Sequence, residues 1–257
     1  MVSRIAGVLG ELLITFGVII ALFVFYQLYW TGVSTGKAQA QAADDLRSQW
    51  GAAAPVDPAA PPPPVDPAAP PPPVDDAQAA DPTMAGYGSG WGTEGAPVAF
   101  LTAPNAGIHD FVAFEGVGLG TLANGPGHYP GTALPGQVGN AAFAAHRDGN
   151  GAPFDNIDRL GTCDDIIVET SSAIFRYKVL PVDGLAGAGE AFDCVPEGTI
   201  VPGVPGRHIV TPDQSQVVTP HGQASMVTFT TCHPQWSNTH RLIVHGVLAG
   251  VEPKAVA

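Results

Sequence analysis

"SMVTFTTCHPQWSNTHRLIVHGVL", Ser225 to Leu248, is the stretch on which the fold turns. β-Branched and aromatic residues dominate both ends, and a Pro/Ser/Asn-containing run separates them. The pattern predicts strands over Ser225–Cys232 and Arg241–Leu248, flanking a loop from His233 to His240. Paired as an antiparallel hairpin, they set Cys232 opposite Arg241 on one sheet face. A permanent cation beside a thiol favours the reactive thiolate and offers donors to a developing oxyanion. The plainer alternative is a small, inert thiol at a strand end.

Upstream, short β-rich runs recur between Gly, Pro, Asn and Asp. Candidate strands are Ile108–Phe114, Asn140–Ala145, Asp165–Thr170, Ala173–Val182 and His208–Thr211. "DNIDRLG" (Asp155–Gly161) suits one or two helical turns. Many short strands in about 160 residues predict an all-β barrel or sandwich over 97–257.

The first hundred residues differ in character. Residues 1–11 are expected on the cytoplasmic side, with Arg4 the basic residue there. "LLITFGVIIALFVFYQLYW" (Leu12–Trp30) carries no charge and ends in Tyr26, Tyr29 and Trp30. That length suits a single helix across a bilayer of roughly 30 Å, with aromatic rings at the boundary. A cleavable signal peptide ending at "AQA" (Ala38–Ala40) is the rival reading; the apolar run is long for one. Either way, 97–257 is expected outside the cytoplasm. Residues 31–96 read as an Ala/Pro-rich disordered linker. Twelve of the 26 prolines lie between Pro55 and Pro82, and "VDPAAPPPP" occurs twice, at Val56–Pro64 and Val65–Pro73. Such a segment predicts an extended spacer holding the domain away from the membrane.

Net charge is −13, and both parts of the chain are acidic. With no Lys/Arg cluster, nucleic acid is excluded as a partner. No clustered metal-ligand pattern appears, so no metal or other cofactor is expected. Three cysteines leave one odd in an oxidising compartment. Cys163 pairing with Cys194, leaving Cys232 free, is one outcome; three reduced thiols is the other. Among eight histidines, His146 ends an apolar run and opens a polar Gly-rich loop, where a strand delivers a side chain to a cleft. His128, in a Gly/Pro turn, is a second candidate, and most of the others suit structural roles.

Four segments together resemble the sortase family, and within it class E. They are "TFTTCHP" (Thr228–Pro234), Arg241 nine residues after the cysteine, "NAAFAAHR" (Asn140–Arg147) and "GPGHYPGTALPGQVGN" (Gly125–Asn140). The resemblance covers about 100–251. It implies an eight-stranded β-barrel with short helices, on a single-pass membrane protein whose domain faces the wall. It also implies a cysteine transpeptidase that cleaves a Leu-Ala/Pro-x-Thr-Gly sorting motif and joins surface proteins to a lipid II or peptidoglycan stem-peptide amine. Cys232 would be the nucleophile, His146 the proton carrier and Arg241 the oxyanion and backbone donor. Tyr129 and Thr231 would bind substrate. Two residues depart from the family pattern. Phe229 replaces leucine and is expected to repack the core; Ala145 replaces glycine and is expected to narrow the site. A hydrolytic cysteine peptidase on the same barrel and a non-catalytic wall-facing binding module are the alternatives.

Overall fold

A computed structural model describes residues 2–26, 31–51, 87, 90–182, 192–200, 203–219 and 223–254. Among the described residues, nine strands follow a long N-terminal helical region: β1 (Pro97–Ala103), β2 (Ile108–Glu115), β3 (Gly127–His128), β4 (Gly139–Ala144), β5 (Asp165–Glu169), β6 (Ala173–Val179), β7 (Arg207–Val210), β8 (Ser225–His233) and β9 (His240–Pro253). They form one sheet, β6-β5-β1-β2-β3-β4-β8-β9-β7, and β6 also pairs with β9. That second pairing closes eight strands into a barrel, which removes the exposed edges an open sheet would carry. β9 makes closure possible through its length. Along one edge it pairs with β8; along the other it pairs first with β7 and then with β6.

Alternation along the strands fills the barrel. Val227 and Phe229 of β8, Ala141 and Phe143 of β4, and Leu242 and Val244 of β9 all enter one apolar core. Phe229 stacks on Phe154, ring centroids 4.5 Å apart, and meets Phe143 edge-on. The larger ring is thus a core residue, and its partner comes from the loop that follows His146. The opposite face of β8 is buried too, by polar contacts: the Thr228 hydroxyl lies 2.7 Å from both Asn140 Oδ1 and His245 Nδ1. Cys163 and Cys194 are joined by a disulfide, with Cα atoms 5.7 Å apart. "DNIDRLG" supplies a single 3-10 turn, Ile157–Arg159.

Helix α1 (Val2–Phe25) has an apolar window, Gly7–Phe25, none of which is buried. Residues 27–30, at the end of the expected span, and both nine-residue repeats lie outside the described residues.

The reading of 31–96 as linker needs correction at its start. Residues Thr31–Trp50 form helix α2, which lies on the outside of β1 and β2. Its inward stripe is Thr35, Gln39, Ala42 and Leu46, spaced four, three and four apart, which keeps one helical face toward the barrel. Leu46 and Ala42 pack on Phe100, Val112 and Phe114. Gln39 continues the sheet's hydrogen bonding. Its amide nitrogen donates to Val112 O (2.9 Å) and Asn124 O (2.8 Å), and its oxygen accepts from Val112 N–H (2.7 Å). The stripe is inconspicuous in sequence because two of its four members are polar. At the helix end, Trp50 packs edge-on against Phe100, and Lys254 Nζ sits 4.4 Å from the Trp50 ring centroid.

A short four-residue helix, α3 (Leu119–Leu122), follows β2. Leu46→Ala is expected to cost about 2–5 kcal/mol, the range for deleting a fully buried leucine side chain. Denaturant unfolding would check this; an unchanged midpoint would mean that α2 adds nothing to the barrel's stability.

Candidate active site

β4 and β8 run parallel, though far apart in sequence. Their ladder ends at Ala144 opposite Thr230, an offset of 86 residues. The backbones do not part there. Ala145 N–H donates to Thr230 O (3.2 Å), and the Thr231 hydroxyl donates to Ala145 O (2.8 Å). Two residues on, Arg147 Nη1 donates to His233 Nδ1 (2.7 Å). Both side-chain bonds keep the same offset of 86. Between them, held by neighbours on either side, stand His146 and Cys232. The shared offset sets the two level, and alternation gives both the face that carries Ala144 and Thr230.

On the other side of β8, Cys232 is the antiparallel partner of Arg241. Histidine, cysteine and arginine therefore occupy adjacent positions across three neighbouring backbones, with the thiol in the middle. Cys232 is free and half-buried. Arg241 Nη1 donates to Asn238 O and His240 O, both at 2.9 Å. Among the described residues its Nε and Nη2 donors carry no partner, so they remain for a carbonyl or oxyanion.

Burial lowers the His146 pKa below that of an ordinary imidazole, and the Asp148 carboxylate opposes the shift. Asp148 was not singled out in the sequence, although a carboxylate two residues past a candidate histidine was there to see. Its Oδ2 accepts from Trp236 N–H (2.7 Å), tying the His146 loop to the loop between Cys232 and Arg241. Its Oδ1 is buried with no hydrogen-bond partner among the described residues. His233 has its pKa lowered too, by desolvation first and then by the Arg147 cation and His240, against Asp158. A neutral imidazole is what Arg147 needs, because Nδ1 must accept. Arg147 is itself buried and also pairs with Asp158 (3.2 Å).

Three expectations change. Thr231 is 2% exposed and its hydroxyl is committed to Ala145 O, so it positions the backbone rather than touching substrate. Ala145 points into the apolar core, so its methyl group does not narrow the cleft. His128 is buried, with Nδ1 on Glu115 (2.9 Å) and Nε2 near Ala133 O and Thr132 Oγ1. It lines a cavity of about 360 Å³ whose walls include none of Cys232, His146 and Arg241. The Tyr129 hydroxyl lies 3.0 Å from Thr230 Oγ1, on the face that Cys232 shares two residues later.

Residues 101–249 match the model of the sortase domain. Over 97% of its length the chain is 29% identical to Sortase SrtE2 of Streptomyces coelicolor, covering 84% of that protein. It is also 29% identical to Sortase SrtE1 of the same organism, of which it spans 58%. Among solved structures, the SrtF sortase from Corynebacterium diphtheriae superposes with a TM-score of 0.55 at 36% identity, covering 63% of this chain and 89% of that one.

Thr231→Val should cost about 1–3 kcal/mol by leaving Ala145 O without its buried donor. Thr231→Ser, which keeps the hydroxyl, should recover most of that; equal losses in the two variants would count against the bond. Removing the negative charge with Asp148→Asn should lower the His146 pKa further. Imidazolium would then be lost at lower pH as pH rises, which NMR titration of the His146 ring would register. An unmoved titration would show that Asp148 does not act on His146.

Proposed function

The chain belongs to the sortase family of cysteine transpeptidases, and we propose that it acts as a class E enzyme through Cys232, His146 and Arg241. The observation that carries this reading is the alignment of those three residues on β4's extension, β8 and β9. In the proposed reaction the Cys232 thiolate adds to the threonine carbonyl of a C-terminal Leu-Ala/Pro-x-Thr-Gly motif. The free Arg241 donors hold the developing oxyanion. His146, as imidazolium, gives its proton to the glycine nitrogen as the carbon–nitrogen bond breaks. A thioester remains on Cys232. His146 then accepts a proton from the incoming amine of lipid II or a peptidoglycan stem peptide. That amine displaces the thiolate and completes the new amide bond.

Burial of His146 disfavours the imidazolium that the first step uses, and Asp148 partly restores it. The Tyr129 hydroxyl bonds Thr230, two residues before Cys232 on the same face, which supports a role in choosing the motif's second residue. The apolar α1 helix suits a single membrane anchor with the barrel outside the cytoplasm.

Incubation with a Leu-Ala-x-Thr-Gly peptide and an amine acceptor, followed by mass spectrometry, tests the reading. Ligated product should form and should vanish in Cys232→Ala. Cleavage without ligation would favour the hydrolytic peptidase, and persistence in Cys232→Ala would remove the thiol from the mechanism. In the same assay Tyr129→Phe should alter the Ala/Pro preference; an unchanged preference would exclude its hydroxyl.

A further inference from the structure

Helix α2 brings the beginning of the extracytoplasmic chain to the catalytic histidine's own loop. Thr31 Oγ1 accepts from Asn150 N–H (3.3 Å), and the Thr35 hydroxyl donates to Ala123 O (2.9 Å). Gly151, at φ +72°, passes so near Thr35 that an added Cβ would lie 3.2 Å from the threonine methyl group. Thr31 is only five residues from Tyr26, the last described residue of the apolar segment. Five residues span at most about 18 Å. The loop after His146 is thus leashed to the end of the membrane anchor by a connection far shorter than the proline-rich segment.

The proline-rich segment itself cannot set that distance. Trp50, before it, packs on Phe100, and Tyr87, after it, stacks on Phe175 with centroids 6.3 Å apart. The residues that flank it on either side therefore contact the same barrel. The expected spacer does not lie between anchor and catalytic domain.

One large apolar side chain stands out on this face. Trp236 is 70% exposed, and its backbone N–H is held by Asp148, two residues from Asn150. An exposed tryptophan beside a membrane exit has the amphipathic ring that settles at headgroup depth. We propose that the face made by the start of α2, the loop 148–152 and Trp236 rests on the phospholipid bilayer that α1 crosses. Cys232 then works at headgroup level, on an acceptor carried by lipid, rather than at a distance toward the wall. The inference rests on the reading of α1 as a membrane anchor.

The test uses the full chain in phospholipid vesicles. Cys163 and Cys194 are paired, so Cys232 is the one free thiol of three and takes a fluorescent donor alone. Energy transfer to acceptor dye on lipid headgroups should be efficient. A 20-residue Gly/Ser insertion between Tyr26 and Thr31 leaves every α2 contact in place, and should cut transfer at least twofold. Equal transfer with and without the insertion, at either level, overturns the proposal. In a second measurement, lipids brominated near the headgroup should quench a share of tryptophan emission that disappears in Trp236→Phe. Identical quenched emission in the two proteins also overturns it. Vesicle flotation separates the causes: a chain that does not float with lipid refutes the anchor itself, and the docking face with it. A floating chain with either null result refutes only the docking face.

Discussion

A single offset of 86 residues organises the end of the barrel that holds His146 and Cys232. Parallel pairing of β4 with β8 starts it, and two side-chain bonds carry it past the point where the ladder stops. The Thr231 hydroxyl and the Arg147 guanidinium each reach across to the other backbone, one just before and one just after the level of His146 and Cys232. Neither is exposed to water in the way a surface pair would be, since Thr231 and Arg147 are both buried. Their loss would leave the Ala145 carbonyl or the His233 ring nitrogen without its donor, which is the costly way to break a buried interaction. His146 and Cys232 can therefore stay half-exposed while the residues that hold them do not.

Closure of the barrel supplies the third member. β9 can present Arg241 beside Cys232 because the same strand is held on its far edge by β7 and then β6. The Arg241 side chain is steadied by carbonyls of its own loop, leaving other donors available. That loop is fastened to the His146 segment through Trp236 N–H and Asp148. Apolar packing adds to the link, because Phe154 from the His146 loop stacks on Phe229 of β8. The site is thus built from two loops tied to each other, each standing on a buried strand, as rigid support for positioned chemistry requires.

Some elements were readable from local pattern and some were not. β8 and β9 declared themselves because each is long, β-branched and bounded by turn residues. β1 (Pro97–Ala103) escaped because it follows a Gly-rich stretch, so nothing marks its start. β3 has two residues, too few for any period, and exists only because β2 and β4 flank it. Helix α2 was missed for a chemical reason. Its buried stripe uses Thr35 and Gln39, whose polarity is matched by backbone groups of β2 and the following turn. A hydrophobic pattern cannot reveal a face that is satisfied by hydrogen bonds.

The sequence by itself determined the all-β character, the Cys232–Arg241 pairing and the apolar N-terminal helix. Each depends on neighbours within one hairpin or one helix, where side-chain spacing translates directly into geometry. Only the tertiary structure decided that His146 stands level with Cys232, that Asp148 accepts from Trp236 N–H, and that the Thr231 hydroxyl reaches Ala145 O. It also decided that α2 binds the barrel before the proline-rich segment begins. Those relations join residues far apart in sequence, and they follow from barrel closure and buried hydrogen bonding, which no local pattern encodes.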